Sequence, residues 1–386
     1  MKFKLLLALG VSLLAASAAY AFGPEDLKGQ RLSAEEMTAL VDAAKAVNPP
    51  KNGSNYVIGF ANLGRNAPFF LRVEEGIIAN GKDAGAEVLV TDNAFDGATA
   101  LANAESYLRR NVDYVIEFQT DANFGPVIMQ AMNDAGVKVT AIDIPMAGAT
   151  FMGANNSRSG FMGGNYIGQA ARAKWGDEKV MTGYMIVGEL PQSGAVPAMR
   201  TDGQVAGFLA EYPDFPADHI IKIDTKGTLE EAFKVMSDLI GRIPEGAPIM
   251  GQAINDQSIL GMLRAVQQAN RGDDSIFVGM GADEGAAMVK EPSFLASVGY
   301  FPENYGNYLV PVALMELADV DVPPAVLITH TMVSRATVCN FYPDVPCTSD
   351  AEITLEFRDD AFKAHVAAQA MNPALAGYEE LLPKAD

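Results

Sequence analysis

The glycine-rich stretch Gly279-Met280-Gly281-Ala282-Asp283-Glu284 follows an apolar run and precedes an amphipathic one, the setting of a dinucleotide-binding turn. Its third glycine position is Glu284, whose charge would repel a pyrophosphate. The turn at 61–68 lacks the glycine fingerprint as well, and the sequence contains neither a phosphate-binding P-loop nor a G-x-S-x-G nucleophile elbow. The three histidines, His219, His330 and His365, are too scattered to form a metal set or to serve a serine nucleophile as base. The expectation is a protein without catalytic groups, cofactor or metal, whose activity is binding rather than turnover.

Polar and aromatic side chains do recur, directly after apolar runs. Asn66-Ala67-Pro68-Phe69-Phe70 places an amide and two rings at the first such end, with proline positioned to start a helix. One ring suffices for the core, and the other can stack on the flat C–H face of a sugar, a ligand that also suits a converging amide. Phe70 is read toward a ligand, and Phe69 is divided between the two roles. Gln119 follows another run. Asp143 ends a third, at 140–142, where a carboxylate could accept from two vicinal hydroxyls, the alternative being a cap or turn. Asn255 and Asp256 end a fourth; Asp256 is read as the cap of a helix beginning near Ser258, which leaves Asn255 to the ligand. Arg200 and Gln204 stand one helical turn apart and share a face, so an arginine fork could meet ligand oxygens, a surface ion pair being the plainer role.

These residues need a scaffold that brings strand ends together. Buried strands are predicted at 56–61, 87–91, 114–118 and 137–142, alternating with amphipathic stretches at 70–83, 98–109 and 124–134. The alternation resumes with strands at 180–187, 220–223, 249–252 and 276–280 and helices at about 160–174, 197–211, 229–241 and 259–270. Such alternation makes doubly wound α/β lobes, here two, and ligands of open parallel sheets bind beyond the carboxyl ends of the strands. Before the first strand, Ser33 and Glu36 form a capping-box pattern opening a helix at 33–47, which stops at the Pro- and Gly-rich linker 48–53.

Bulk properties narrow the function further. Met1-Lys2-Phe3-Lys4, an apolar run at 5–16 and Ala19-Tyr20-Ala21 read as a cleaved secretory signal peptide, too short to span a bilayer and followed by Phe22 rather than a lipid-accepting cysteine. Among 386 residues there are 28 basic and 48 acidic side chains, a net charge of −20 that becomes −22 once Lys2 and Lys4 are removed. That surface repels nucleic-acid phosphates and anionic lipids. The two cysteines, Cys339 and Cys347, are expected to pair in an oxidising compartment, since no third ligand or C-x-x-C spacing favours a metal or redox role.

Taken in order, the strand followed by Asn66-Ala67-Pro68-Phe69-Phe70, Ala141-Ile142-Asp143, Arg200-Thr201-Asp202-Gly203 with Gly207-Phe208, Asn255-Asp256 and Val278-Gly279-Met280-Gly281 resemble the ribose- and galactose-type periplasmic binding proteins over about 55–334. The resemblance implies two Rossmann-like doubly wound parallel-sheet lobes joined by a three-strand hinge, closing on a monosaccharide. Phe69 and Phe70 would flank the sugar, Asp143 would accept from its hydroxyls, Arg200 would donate, Asn255 would bond from the second lobe, and Tyr300 falls where the family often has a ligand-touching hinge amide. Crossings would lie near 154–155, 300–301 and 328–332. The implied division is a signal peptide at 1–21, an extension helix and linker at 22–53, one lobe of 54–154 plus 301–328, a second of 155–300 plus 329–348, and a C-terminal extension at 349–386. The implied role is a periplasmic receptor for a sugar, polyol or sugar derivative that serves the membrane permease of an ABC importer, or alternatively a co-receptor for a chemoreceptor or sensor kinase. Ile144 stands where ribose-type members carry arginine, Gly281 where they carry aspartate, and Ala67 where they carry an amide, so ribose itself is not expected.

Overall fold

A computed structural model of the chain describes residues 27–119, 121–350 and 353–382; the leader read at 1–21 lies outside them. In chain order the elements are α1 (Ala34–Val47), β1 (Val57–Asn62), α2 (Pro68–Asp83), β2 (Glu87–Asp92), α3 (Gly97–Arg109), β3 (Tyr114–Glu117), α4 (Gly125–Asp134), β4 (Lys138–Ile142) and β5 (Thr150–Ala154). There follow α5 (Asn156–Trp175), α6 (Asp177–Val180), β6 (Tyr184–Glu189), α7 (Ala195–Glu211), β7 (Ile220–Asp224), α8 (Leu229–Ile240), β8 (Ile249–Ala253), α9 (Asp256–Gln268), β9 (Ser275–Gly281), α10 (Gly285–Lys290) and β10 (Phe294–Gly299). The last are α11 (Gly306–Leu317), β11 (Ala325–Ile328), β12 (Thr331–Ser334) and α12 (Asp359–Ala370).

Two six-stranded sheets result, in the orders β11-β5-β4-β3-β1-β2 and β12-β10-β9-β8-β6-β7. Every pairing is parallel except β10 with β12. Each sheet repeats one doubly wound order, so β1/β3 and β6/β8 are the switch points at which such sheets open a crevice. The chain passes from one sheet to the other three times, between β5 and α5, between β10 and α11, and between β11 and β12. β1, β8 and β9 are buried along their whole length, as strands covered on both faces must be.

Several local expectations need correction. The strand expected from Val180 begins at Tyr184, because 177–180 winds into the short helix α6 after Gly176. The helices expected from Gly160 and Ile259 start earlier, at Asn156 and Asp256. Ser33 does cap α1, its hydroxyl accepting from the Glu36 amide while the Glu36 carboxylate accepts from the Ser33 amide. That helix buries Met37, Leu40, Val41 and Ala44 in the same apolar cluster as α11.

α5 and α7 form the tightest helix pair. Cβ atoms built on Gly160 and Gly164 would lie 2.0 Å from Arg200 O and 2.2 Å from Gln204 O, and one on Gly207 would lie 2.2 Å from Phe161 O. Four-residue glycine spacing on both partners lets the backbones touch, and this sets where α7 carries Arg200. The C-terminal extension then crosses the outside of this pair. Arg358 pairs with the buried Glu211 carboxylate at 2.7 and 3.0 Å, and Leu375 and Leu381 join Val196 and Met199 of α7 to Phe151 of β5.

Cys339 and Cys347 are disulfide-bonded, closing a loop whose Tyr342 and Val345 pack toward Gly285 at the start of α10. Closing a loop this small removes unfolded-chain entropy of about 2.5 kcal/mol. A Cys339→Ser, Cys347→Ser double variant is accordingly expected to lose about that much stability in chemical denaturation, and reductant should reproduce the loss in the wild type alone.

Candidate functional site

The carboxyl ends of both sheets face one cavity of about 90 Å³, at the place where open parallel sheets take their ligands. Phe69, Phe70, Phe118 and Asp143 reach it from the first sheet, and Arg200, Asn255, Asp256 and Asp283 from the second, with Tyr300 between them. Of the residues expected at a site, Phe69, Phe70, Asp143, Arg200, Asn255 and Tyr300 are thus brought together. Asn66, Gln119 and Gln204 are not. Asn66 is exposed on the turn after β1. Gln119 is fully buried beyond β3, and neither of its polar atoms has a partner among the described residues. Gln204 is fully buried and donates to Ala253 O at 2.7 Å, tying α7 to the end of β8.

Asp143 sits at φ +55°, the left-handed region that aspartate and asparagine enter more readily than most residues. The turn sets its carboxylate under the Ala154 amide, which donates to Oδ1 at 2.9 Å. Burial raises its pKa, and Arg200 pulls it back down. Arg200 is itself buried, so the surface ion pair is ruled out. Its Nε donates to Asn156 Oδ1 at 3.0 Å and its Nη1 to Ile254 O at 2.7 Å, while the guanidinium lies 4.9 Å above the Tyr300 ring. Held at two nitrogens and stacked on one face, it is a preorganised fork.

The helix cap expected at Asp256 is supplied by Asn255 instead. Asn255 is the N-cap of α9, its Oδ1 accepting from the Ser258 amide at 2.9 Å while Nδ2 donates to Gly227 O. It still lines the void. Asp256 is 1% exposed; Oδ1 accepts from Ser297 Oγ at 2.8 Å, and Oδ2 makes no well-aligned hydrogen bond among the described residues, with the amides of Glu284, Met280 and Ala282 nearby. Asp283, which the sequence reading treated only as part of a failed glycine motif, completes the acidic side of the void. Its only sequence signal was its place two residues past the strand-ending Gly281.

The aromatic walls interlock edge to face: Phe70 meets Phe69, Phe95 and Phe118 at 5.8, 5.3 and 5.9 Å. Phe70 is the more buried ring and Phe69, also against Tyr305, the less. Behind Tyr300, His330 lies in the third crossing. Its Nε2 accepts from the Asn155 amide of the first crossing at 3.0 Å, and its Nδ1 donates to Gly299 O of the second at 3.2 Å. One neutral imidazole thus links all three crossings, and its ring packs 4.6 Å from Tyr300.

Burial holds that imidazole's pKa down at about 3, against an ordinary value of 6.5. Falling pH protonates the unfolded chain near 6.5 but the folded one only near 3, so the stability due to neutral His330 is complete above about pH 6.5 and is lost as pH falls. Between pH 7 and 5 the wild type should lose about 2 kcal/mol relative to His330→Gln in parallel denaturation series. Equal slopes would show that the imidazole is not neutral-locked.

Comparison with known proteins places this geometry in context. Residues 58–319 match a family described as periplasmic binding protein domain. The ribose import binding protein of Bacillus subtilis (strain 168) is 25% identical over 269 residues, 67% of this chain and 81% of the relative. An L-arabinose-binding periplasmic protein of an ABC transporter in Azospirillum brasilense is 26% identical over 245 residues, 60% and 72% of the two chains. Among solved structures, an ABC transporter solute-binding protein of Mycobacterium smegmatis with bound glycerol superposes with a TM-score of 0.64 at 20% identity, covering 78% of this chain and all of that one. One from Actinobacillus succinogenes with bound D-allose gives 0.64 at 17% identity, covering 74% and 100%.

Proposed function

Since the chain belongs to the periplasmic binding protein domain family, we propose that it is the solute-binding component of an ABC importer, taking a sugar or sugar-like polyhydroxylated molecule between its two sheets. The observation that carries this reading is the single void with carboxylate and aromatic rings from one sheet and a fixed guanidinium from the other. A pyranose or polyol presents vicinal hydroxyls to charged groups and C–H faces to rings, which matches that division of the lining. Binding is the whole activity, and the ligand leaves unchanged. The leader at 1–21 would deliver the chain to the periplasm, and no helix among the described residues is long and apolar enough to cross a membrane. The sugars and polyols bound by relatives support the ligand class and leave its identity open, as do Ile144 and Gly281 in this chain.

Ribose- and galactose-type receptors close their lobes on ligand, and the ties of His330 across the three crossings suit a hinge there. A thermal-shift screen of sugars, polyols, sugar acids, nucleosides and amino acids tests the reading. A ligand at 100 times its dissociation constant should stabilise the protein by about 2.7 kcal/mol. Shifts confined to amino acids or apolar compounds would defeat the polyol assignment. Deleting the chain from its host should abolish uptake of the same ligand; intact uptake with lost signalling would assign the co-receptor role instead.

A further inference from the structure

The void is unbalanced in charge and in hydrogen-bonding sense. Asp143, Asp256 and Asp283 line it against the one cation Arg200. Asp143 has Arg200 and the Ala154 amide to answer it. Asp256 and Asp283 have no such cation on the lining. They flank one spot: a side-chain carbon built on Gly281 would lie 2.2 Å from Asp283 Oδ1 and 3.8 Å from Asp256 Oδ2. Gly281 is at φ +128°, a conformation that keeps the position glycine and the spot open. Asp256 Oδ2, on a residue 1% exposed, makes no well-aligned hydrogen bond among the described residues, although the amides of Glu284, Met280 and Ala282 lie close enough to act on the carboxyl.

Donors in the lining are few. Two of the Arg200 nitrogens and the Asn255 amide are already engaged within the protein, and Gln257 Nε2 donates to Glu284 at 2.5 Å. Carboxylates only accept when ionised, so the ligand must bring the donors, and an ammonium brings three with the matching charge. A neutral hydroxyl would leave two like charges buried side by side, which burial resists by keeping protons on the pair. Burial does raise the pKa of both carboxyls, Asp283 further through the charges of Asp256 and Glu284. Glu284, pushed up to about 7 by burial, adds a further acid, and Arg72 is the one other cation acting on the group. The rings of Phe69 and Phe70 line the same void, and the net charge of −20 draws cations toward the protein.

We propose that the ligand carries a cationic nitrogen on a compact polyhydroxylated frame, an aminated sugar or alditol, and that Asp256 and Asp283 are the residues that select it. This rests on the polyol reading above and narrows it.

Calorimetric titration of the intact chain with D-glucosamine, D-galactosamine and glucamine, beside glucose, galactose, glucitol and the N-acetylated amines, tests it. Charged amines are expected to bind about tenfold or more tightly than their neutral parents, a difference of one charge-assisted contact. Acetylation should return affinity to the neutral level. Titrations in buffers of different ionisation enthalpy should show proton release with the amines, as the carboxyl pair ionises against the ammonium. Asp256→Asn and Asp283→Asn should each collapse the amine preference toward unity; if either fails to fold, the acetylation series and proton release on the wild type decide. Neutral sugars binding as tightly as amines would overturn the cation subsite and leave the polyol receptor standing. Binding by neither set would overturn both, and binding by simple diamines alone would remove the polyol frame.

Discussion

Asp143→Asn is expected to weaken ligand binding by about ten- to a hundredfold, because a hydrogen bond to a charged acceptor is worth roughly 1.5–3 kcal/mol and the amide retains only the neutral part. The substitution is chosen to leave the scaffold alone. Asparagine tolerates the +55° backbone as aspartate does, and its oxygen can still accept from the Ala154 amide. A buried carboxyl whose pKa burial has raised stabilises nothing by being charged, so the empty protein should melt at the same temperature or slightly higher. Asp143→Ala is the harsher variant: it strands the buried Ala154 amide and forces alanine into the left-handed region, so lost affinity and lost stability arrive together. Titration calorimetry and a denaturation series on both variants separate the effects. Unchanged affinity in Asp143→Asn would remove this carboxylate from the site.

Gly207→Val should be the most damaging single change to the fold, costing about 4 kcal/mol or more in chemical denaturation, at the severe end for overpacking. The added carbon would lie 2.2 Å from Phe161 O, which is helix backbone and cannot swing aside. Separating α5 from α7 to admit it would also displace Arg200, which bonds Asn156 of α5, and Gln204, which bonds the end of β8. Any folded remnant should therefore bind weakly. By contrast, Gly241→Ala, where a side chain would meet nothing within 4 Å, should cost almost nothing. Equal stability of the two variants would show that the helix pair is not backbone-locked.

These contacts mark where local pattern ends. Apolar runs of five residues at β1 and β9 declare themselves in the sequence, because strands buried on both faces have little but apolar side chains. The capping box at Ser33 and Glu36 is equally legible, since both halves of it lie within four residues. β5, β10, β11 and β12 carry no strand assignment from the sequence: β11 and β12 are only four residues long, and β11 is made a strand by Phe151–Ala154, which lie about 170 residues earlier. The order of roles at 255–256 was beyond local reasoning too. Both residues are good caps, and the choice falls to the Ile254 amide, which bonds Gly188 O and fixes where α9 can begin.

The family resemblance implied that Phe69, Phe70, Asp143, Arg200, Asn255 and Tyr300 belong near one another; by itself the sequence determined a two-sheet α/β protein whose strand ends are polar and aromatic. Those properties follow from periodicity and residue type, which act over a few positions. Only the tertiary structure decided that Asn66, Gln119 and Gln204 stand away from the void, that Asp256 and Asp283 share a corner of it, and that His330 ties the three crossings. Each of these depends on which distant backbone closes over a side chain, and burial, the quantity that turns a carboxylate into a selective group, is set by packing between segments that the sequence keeps far apart.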